Sequence, residues 1–97
     1  MIIFKEIVKT SLIEVTDTYE GDVSFKLEIA KTEKNNFSAN LYKKSIFTLT
    51  PNGEENMLSD EIFWIEFSQI LTEDNNYSSI DETMEAVKNS LSEYYKT

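Results

Sequence analysis

The sequence has no cysteine, no histidine and no arginine among its 97 residues. Without cysteine there is no disulfide framework and no thiol chemistry. Without histidine the usual metal ligand and the usual general base are missing. No apolar run approaches the roughly 20 residues that a membrane helix needs. The opening Met1-Ile2-Ile3-Phe4-Lys5-Glu6 lacks a basic segment followed by a long apolar stretch, as a signal peptide would require. The expected location is therefore the cytoplasm, where absent cysteine is ordinary.

What the chain does have is negative charge. Eighteen acidic residues face nine lysines, a formal net charge of −9. With 40% hydrophobic and 12% aromatic residues, it is still too apolar to be an acidic disordered tail. The length suits one domain spanning residues 1–97, with a thin core. Phosphates attract clustered cations, so a chain at −9 is expected to bind no nucleic acid directly, and anionic membranes are disfavoured for the same reason. The charge is also uneven. Residues 1–50 hold seven acids and seven lysines, whereas residues 51–97 hold eleven acids against Lys88 and Lys96, so the second half carries the whole −9. Such asymmetry marks either an interaction surface for a basic partner or a solvated face that keeps the chain soluble.

Apolar periodicity predicts an α+β domain. Val23, Phe25, Leu27 and Ile29 alternate with Ser24, Lys26 and Glu28, the period of a half-buried strand. Tyr19-Glu20-Gly21-Asp22 is a turn signal before it. Residues 2–18 become the preceding strand, although Phe4, Ile7, Val8, Leu12 and Val15 also fit a helical stripe. Their Ile, Val and Thr content favours strand, with a bulge near Lys9-Thr10 reconciling the phase. Lys34-Asn35-Asn36 predicts the next turn and Phe37–Thr50 a third strand, which leaves the core or bends where Lys43 and Ser45 interrupt its apolar face. Pro51-Asn52-Gly53 ends that strand, residues 52–60 form a polar loop, and Glu61–Phe67 is read as a fourth strand, a helix opened by Ser59 competing. Ser79-Ile80-Asp81-Glu82 matches a capping box, and Ile80, Met84, Val87 and Leu91 follow at helical spacing, with Tyr94 or Tyr95 extending the stripe. Asp81, Glu82 and Glu85 early, and Lys88 and Lys96 late, suit the helix dipole. The expected architecture is an antiparallel β-meander of about four strands with a C-terminal amphipathic helix packed on one face.

Catalytic chemistry finds no support. The carboxylate pairs Glu54/Glu55, Glu73/Asp74 and Asp81/Glu82 fall in loops or on an exposed helix start, where nothing raises a pKa. Ser78 and Ser79 have no histidine to activate them, and Lys43/Lys44 have no phosphate-cradling glycine loop. Asp74, Asn76, Ser78 and Glu85 carry calcium-loop spacing, but Ser79 replaces the required glycine. No enzyme, cofactor or metal is expected. Trp64 is the more informative residue. With Phe63, Ile65 and Phe67 facing the helix, it points the other way beside Ile62 and Glu66. It is either an interface anchor or the cap of a small cluster with Tyr42 or Tyr19. The candidate partner-binding residues are Asp60, Glu61, Trp64, Glu66, Glu73, Asp74 and Tyr77.

The opening Phe4-Lys5-Glu6-Ile7-Val8-Lys9-Thr10, the hairpin around Tyr19-Glu20-Gly21, the strand Phe37-Ser38-Ala39-Asn40-Leu41-Tyr42 and the acidic Asp60-Glu61-Ile62-Phe63-Trp64 before a terminal helix span nearly the whole chain. In size, charge and plan it resembles small bacterial immunity proteins, including those of contact-dependent growth inhibition systems. The resemblance implies a partner, a basic toxin that is often a nuclease, bound and neutralised inside the cell that makes it. No residue role carries across by position. Abundant Lys, Asn, Ile and Tyr without Arg suit a low-GC bacterial or phage genome. The alternative is a phage-encoded inhibitor of a host defence nuclease, acting by nucleic-acid charge mimicry. Neither reading specifies an oligomeric state.

Overall fold

The computed structural model describes residues 2, 4–49 and 59–96. Four strands run β1 (Glu6–Thr18), β2 (Gly21–Lys31), β3 (Phe37–Leu49) and β4 (Ser59–Glu66), followed by a short 3-10 turn (Ser68–Ile70) and helix α1 (Ile80–Tyr94). Each strand is antiparallel to its sequence neighbour, and the sheet order is β1-β2-β3-β4. This is the expected meander with the helix packed against it. At 20 Å the molecule's thinnest dimension is the depth of one sheet and one helix.

The first hairpin turns on Gly21, whose φ of 86° lies in the left-handed region. Thr18 locks it: its hydroxyl donates to the Gly21 carbonyl (2.6 Å) and accepts from the Glu20 N–H (3.0 Å). The register shifts between Ile7 and Lys9, so the bulge sits at Val8, next to its expected place, and turns Val8 toward the core. β1 begins at Glu6 rather than residue 2. β4 runs from Ser59 to Glu66, two residues earlier than expected at its start, so Ser59 and Asp60 are strand rather than loop and the competing helix is excluded. The expected Pro51-Asn52-Gly53 turn lies outside the described residues.

The core is built on β2, where alternation buries Val23, Phe25, Leu27 and Ile29 on one face. Ala39 and Leu41 stand beside Ile29 and Leu27 on β3, and α1 lays Val87 and Leu91 across them. Of the two tyrosines that could continue the helix stripe, Tyr95 is buried and Tyr94 exposed. Ser79 caps α1, accepting from the Glu82 N–H (3.0 Å), while the Glu82 carboxylate reaches past the cap to the Ser78 N–H (3.1 Å) and hydroxyl. No basic residue occupies the last turn, so the expected dipole role of Lys88 and Lys96 is corrected: one lies too early and the other beyond the helix.

The helix does not cover the whole sheet. Phe63 and Ile65 share the helix side with Ser45 and Lys43 yet remain 44% and 46% exposed. Phe67 reaches the helix, packing against Phe25 and Tyr94 with ring centroids 5.5 and 5.2 Å away. Phe63 and Ile65 thus take the helix side of the sheet as expected but stay exposed there, because β3 and β4 run on beyond the point where α1 ends. There Lys43 is held rather than expelled. Its ammonium donates to both Glu20 carboxylate oxygens (3.1 and 2.9 Å), and the Tyr95 hydroxyl donates to the same carboxylate (3.0 Å).

Candidate functional site

β4 pairs with β3 only from Leu49 back to Tyr42, which leaves the edge of β3 from Leu41 to Phe37 without a strand. Bare edge amides and carbonyls invite pairing with other chains. The segment after β4 satisfies them one after another. Phe67 N–H donates to the Leu41 carbonyl (2.7 Å), and the Ser68 hydroxyl accepts from the Leu41 N–H (3.1 Å). The Asn75 side chain then works as a miniature strand: its oxygen accepts from the Ala39 N–H (2.8 Å) and its amide donates to the Ala39 carbonyl (2.7 Å). Tyr77 and Phe37 exchange two backbone bonds of 2.8 Å. Asn75 takes φ 38°, a left-handed conformation that asparagine tolerates.

This edge decides where the candidate residues fall. Asp60 and Glu61 register opposite Thr48 and Phe47, Trp64 opposite Lys44, and Glu66 opposite Tyr42. Glu73 and Asp74 sit just before Asn75 at Ala39, and Tyr77 lies at Phe37. All seven candidates therefore follow one side of β3. At about 3.3 Å per residue, the stretch from Phe37 to Thr48 extends roughly 36 Å. The structure brings them into a row, not a compact patch. Trp64 and Glu66 come together on the sheet face away from the helix, and Glu66, Glu73 and Asp74 are exposed.

Trp64 is half-buried, and its setting is less acidic than its sequence neighbours suggest. Lys26, reaching across from β2, sits 5.3 Å from the Trp64 ring centroid and 5.1 Å from that of Tyr42. Glu28 pairs with the same ammonium at 3.7 Å. The cluster with Tyr42 is therefore real, while Tyr19 stacks on the opposite side of the sheet with Tyr95. Burial pushes the Tyr42 hydroxyl pKa up, with the Glu28 and Glu66 carboxylates adding to it. Around this cluster the face is open: Leu12, Ile46 and Ile62 are 76%, 60% and 58% exposed. A cleft of about 440 Å³ lies between Leu12, Ser24, Lys44 and Trp64.

The family model described as "YehK: Uncharacterised protein YehK" matches residues 5–97. The chain belongs to the YehK family. No curated protein and no solved structure matches it. YehK membership brings no ligand with it, so the chemistry rests on the side chains themselves. Among the described residues no group of carboxylates is placed to hold a metal ion. No helix among them is long and apolar enough to cross a membrane.

Sequence reasoning placed Ile62 beside Trp64 but missed Lys26 and the exposed aliphatic residues Leu12 and Ile46 as its neighbours. Alternation along β2 did put Lys26 on the outer face. Only the register Leu12↔Lys26, Lys26↔Tyr42 and Tyr42↔Glu66 carries it across the sheet to the indole.

Proposed function

We propose that this chain is a toxin-immunity protein: it binds a basic protein toxin, a nuclease domain, and neutralises it through the acidic second half of the chain. The observation that carries the reading is the uncovered sheet face beside β4, where a half-exposed tryptophan stands among exposed aliphatic side chains and the row of acids runs past it. An indole held against the Lys26 ammonium loses little freedom on binding, which is what an anchor requires. A nuclease cleft is basic because it must hold phosphates, so carboxylates can fill it without being substrates. Complementary charge also speeds encounter, toward roughly 10⁸ M⁻¹s⁻¹ at low salt. The linear order of the acids supports a second reading, a phage-encoded inhibitor that imitates a phosphate strand for a host defence nuclease.

The test is capture from the native host with the intact chain as bait. A basic protein should be retained at low salt and depleted at high salt. Replacing Asp60, Glu61, Glu66, Glu73 and Asp74 with lysine should abolish capture and protection with the fold intact. Trp64→Ala should weaken the complex by about 2 kcal/mol. Full protection by the charge-reversed variant would refute the surface assignment. A toxin gene next to this one separates immunity from the phage reading.

A further inference from the structure

A second surface lies on the other side of the sheet, between β1 and α1. The inward side chains of β2 are buried beneath the helix, whereas β1 is half-covered, with Ile13 and Val15 only partly shielded. The gap is a cleft of about 870 Å³ whose floor includes Ile13, Val15, Met84 and Leu91. Six successive β1 residues, from Ile13 to Thr18, border it. Successive strand side chains point to opposite faces, so a continuous border of this kind includes the outer backbone edge of the strand as well as its inward side chains.

That edge is free. β1 is the terminal strand of the sheet, with a neighbour only in β2. The opposite treatment of β3 is informative, because there Phe67, Ser68, Asn75 and Tyr77 occupy the bare edge group by group. Irregularities interrupt β1 at Ile7/Lys9 and at Val15/Thr18, and between them Lys9 to Val15 pair without a break. Seven regular residues offer about 23 Å of template. The rim is charged in one sense: Glu14, Asp17, Asp81 and Glu85 stand at the cleft against Lys88 alone.

We propose that β1 accepts an extended segment of a partner protein as a fifth strand, one whose cleft-facing set, every second residue, combines apolar and basic side chains. Its backbone pairs with Lys9–Val15, and the side chains on its helix side enter the cleft, the apolar ones between Ile13, Val15 and Met84 and the basic ones against Asp81 and Glu85. Backbone pairing supplies the affinity, and the cleft and its rim select the sequence. A second copy of this chain fits poorly, since edge-to-edge pairing would bring two acidic rims together. The inference is independent of the Trp64 face, which lies on the other side of the sheet.

The probe is a synthetic peptide about ten residues long, added to the full chain, with valine and lysine sharing every second position and threonine at the positions between. Amide hydrogen exchange should slow by about tenfold or more at alternate residues of Lys9–Val15, because every second N–H of an edge strand points outward. N-methylating the peptide's pairing amides, or replacing its lysines with glutamates, should weaken binding about tenfold. Asp81→Lys combined with Glu85→Lys should produce a similar loss. If that variant is misfolded by circular dichroism, the salt dependence of peptide binding to the unaltered chain reads the same charge effect. Protection confined to residues outside β1, equal binding of the glutamate peptide, or β1 protection that follows protein concentration without peptide would each overturn the proposal; the last identifies a second copy as the occupant.

Discussion

Asn75 holds the segment bearing Glu73, Asp74 and Tyr77 to the sheet through two hydrogen bonds to one residue, Ala39, which is itself fully buried. Removing that side chain leaves an amide and a carbonyl of β3 without their partners. Each such loss costs about 1–1.5 kcal/mol where water can partly compensate, so the pair amounts to about 2–3 kcal/mol. Backbone conformation has to be separated from this, because φ at Asn75 is 38° and a β-carbon without a polar group is strained there. Asn75→Gly removes the bonds and keeps the backbone comfortable, and should cost about 2 kcal/mol. Asn75→Ala should cost about 1 kcal/mol more. In urea unfolding followed by Trp64 fluorescence, with a slope near 1–1.5 kcal/mol/M for this size, the Asn75→Gly midpoint should fall by about 1–2 M. Asn75→Asp adds a sign test. Its carboxylate can accept from the Ala39 N–H, but its second oxygen faces the Ala39 carbonyl, so the protonated form is favoured in the fold. Its folded pKa is raised, and the variant should therefore regain stability below the usual aspartate value and lose it as pH rises through the raised one. A midpoint for Asn75→Gly within about 0.3 M of the unaltered chain would refute the claim that this side chain substitutes for a strand.

Two further outcomes follow from the local chemistry. Ser79→Ala removes the hydroxyl that accepts from the Glu82 N–H, and should cost about 1 kcal/mol of stability, with Ser79→Asp restoring most of it in the same urea titration. The Lys43 and Tyr95 hydrogen bonds hold the Glu20 carboxyl below its usual pKa. Burial works against the Lys43 charge, yet the Glu20 contact leaves its pKa raised. The Glu20 contribution is therefore present above about pH 4.3, the unfolded value, and is lost as pH falls through the lower folded one. That of Lys43 is present below about pH 10.4 and lost as pH rises past its folded value. Glu20→Gln should accordingly be less stable than the unaltered chain between about pH 5 and 10, with the gap closing in acid. A gap constant from pH 2 to 10 would show that the ion pair plays no part.

The four strands and the helix were legible because each carries a local signal that needs no distant partner. Val23–Ile29 alternates strictly, Gly21 supplies the one backbone state the first turn demands, and Ser79 with Glu82 marks the helix start. The phase slip in β1 also betrayed its bulge, since Val8 could meet the core in no other way. The limits of β4 were not legible, because Ser59 and Asp60 have strand geometry only by pairing with Leu49 and Thr48.

What the chain settled on its own was composition and periodicity: no thiol or imidazole chemistry, a charge surplus confined to residues 51–97, and a meander closed by one amphipathic helix. Hydrophobic period and capping act over a few residues, so they can be read along a line. The tertiary structure alone decided that Lys26 lies between Tyr42 and Trp64, that Asn75 closes the β3 edge, and that β1 is left open beside the helix. Each of these depends on register between strands and on where a helix comes to rest, and both are set by packing across the sheet between residues far apart in sequence.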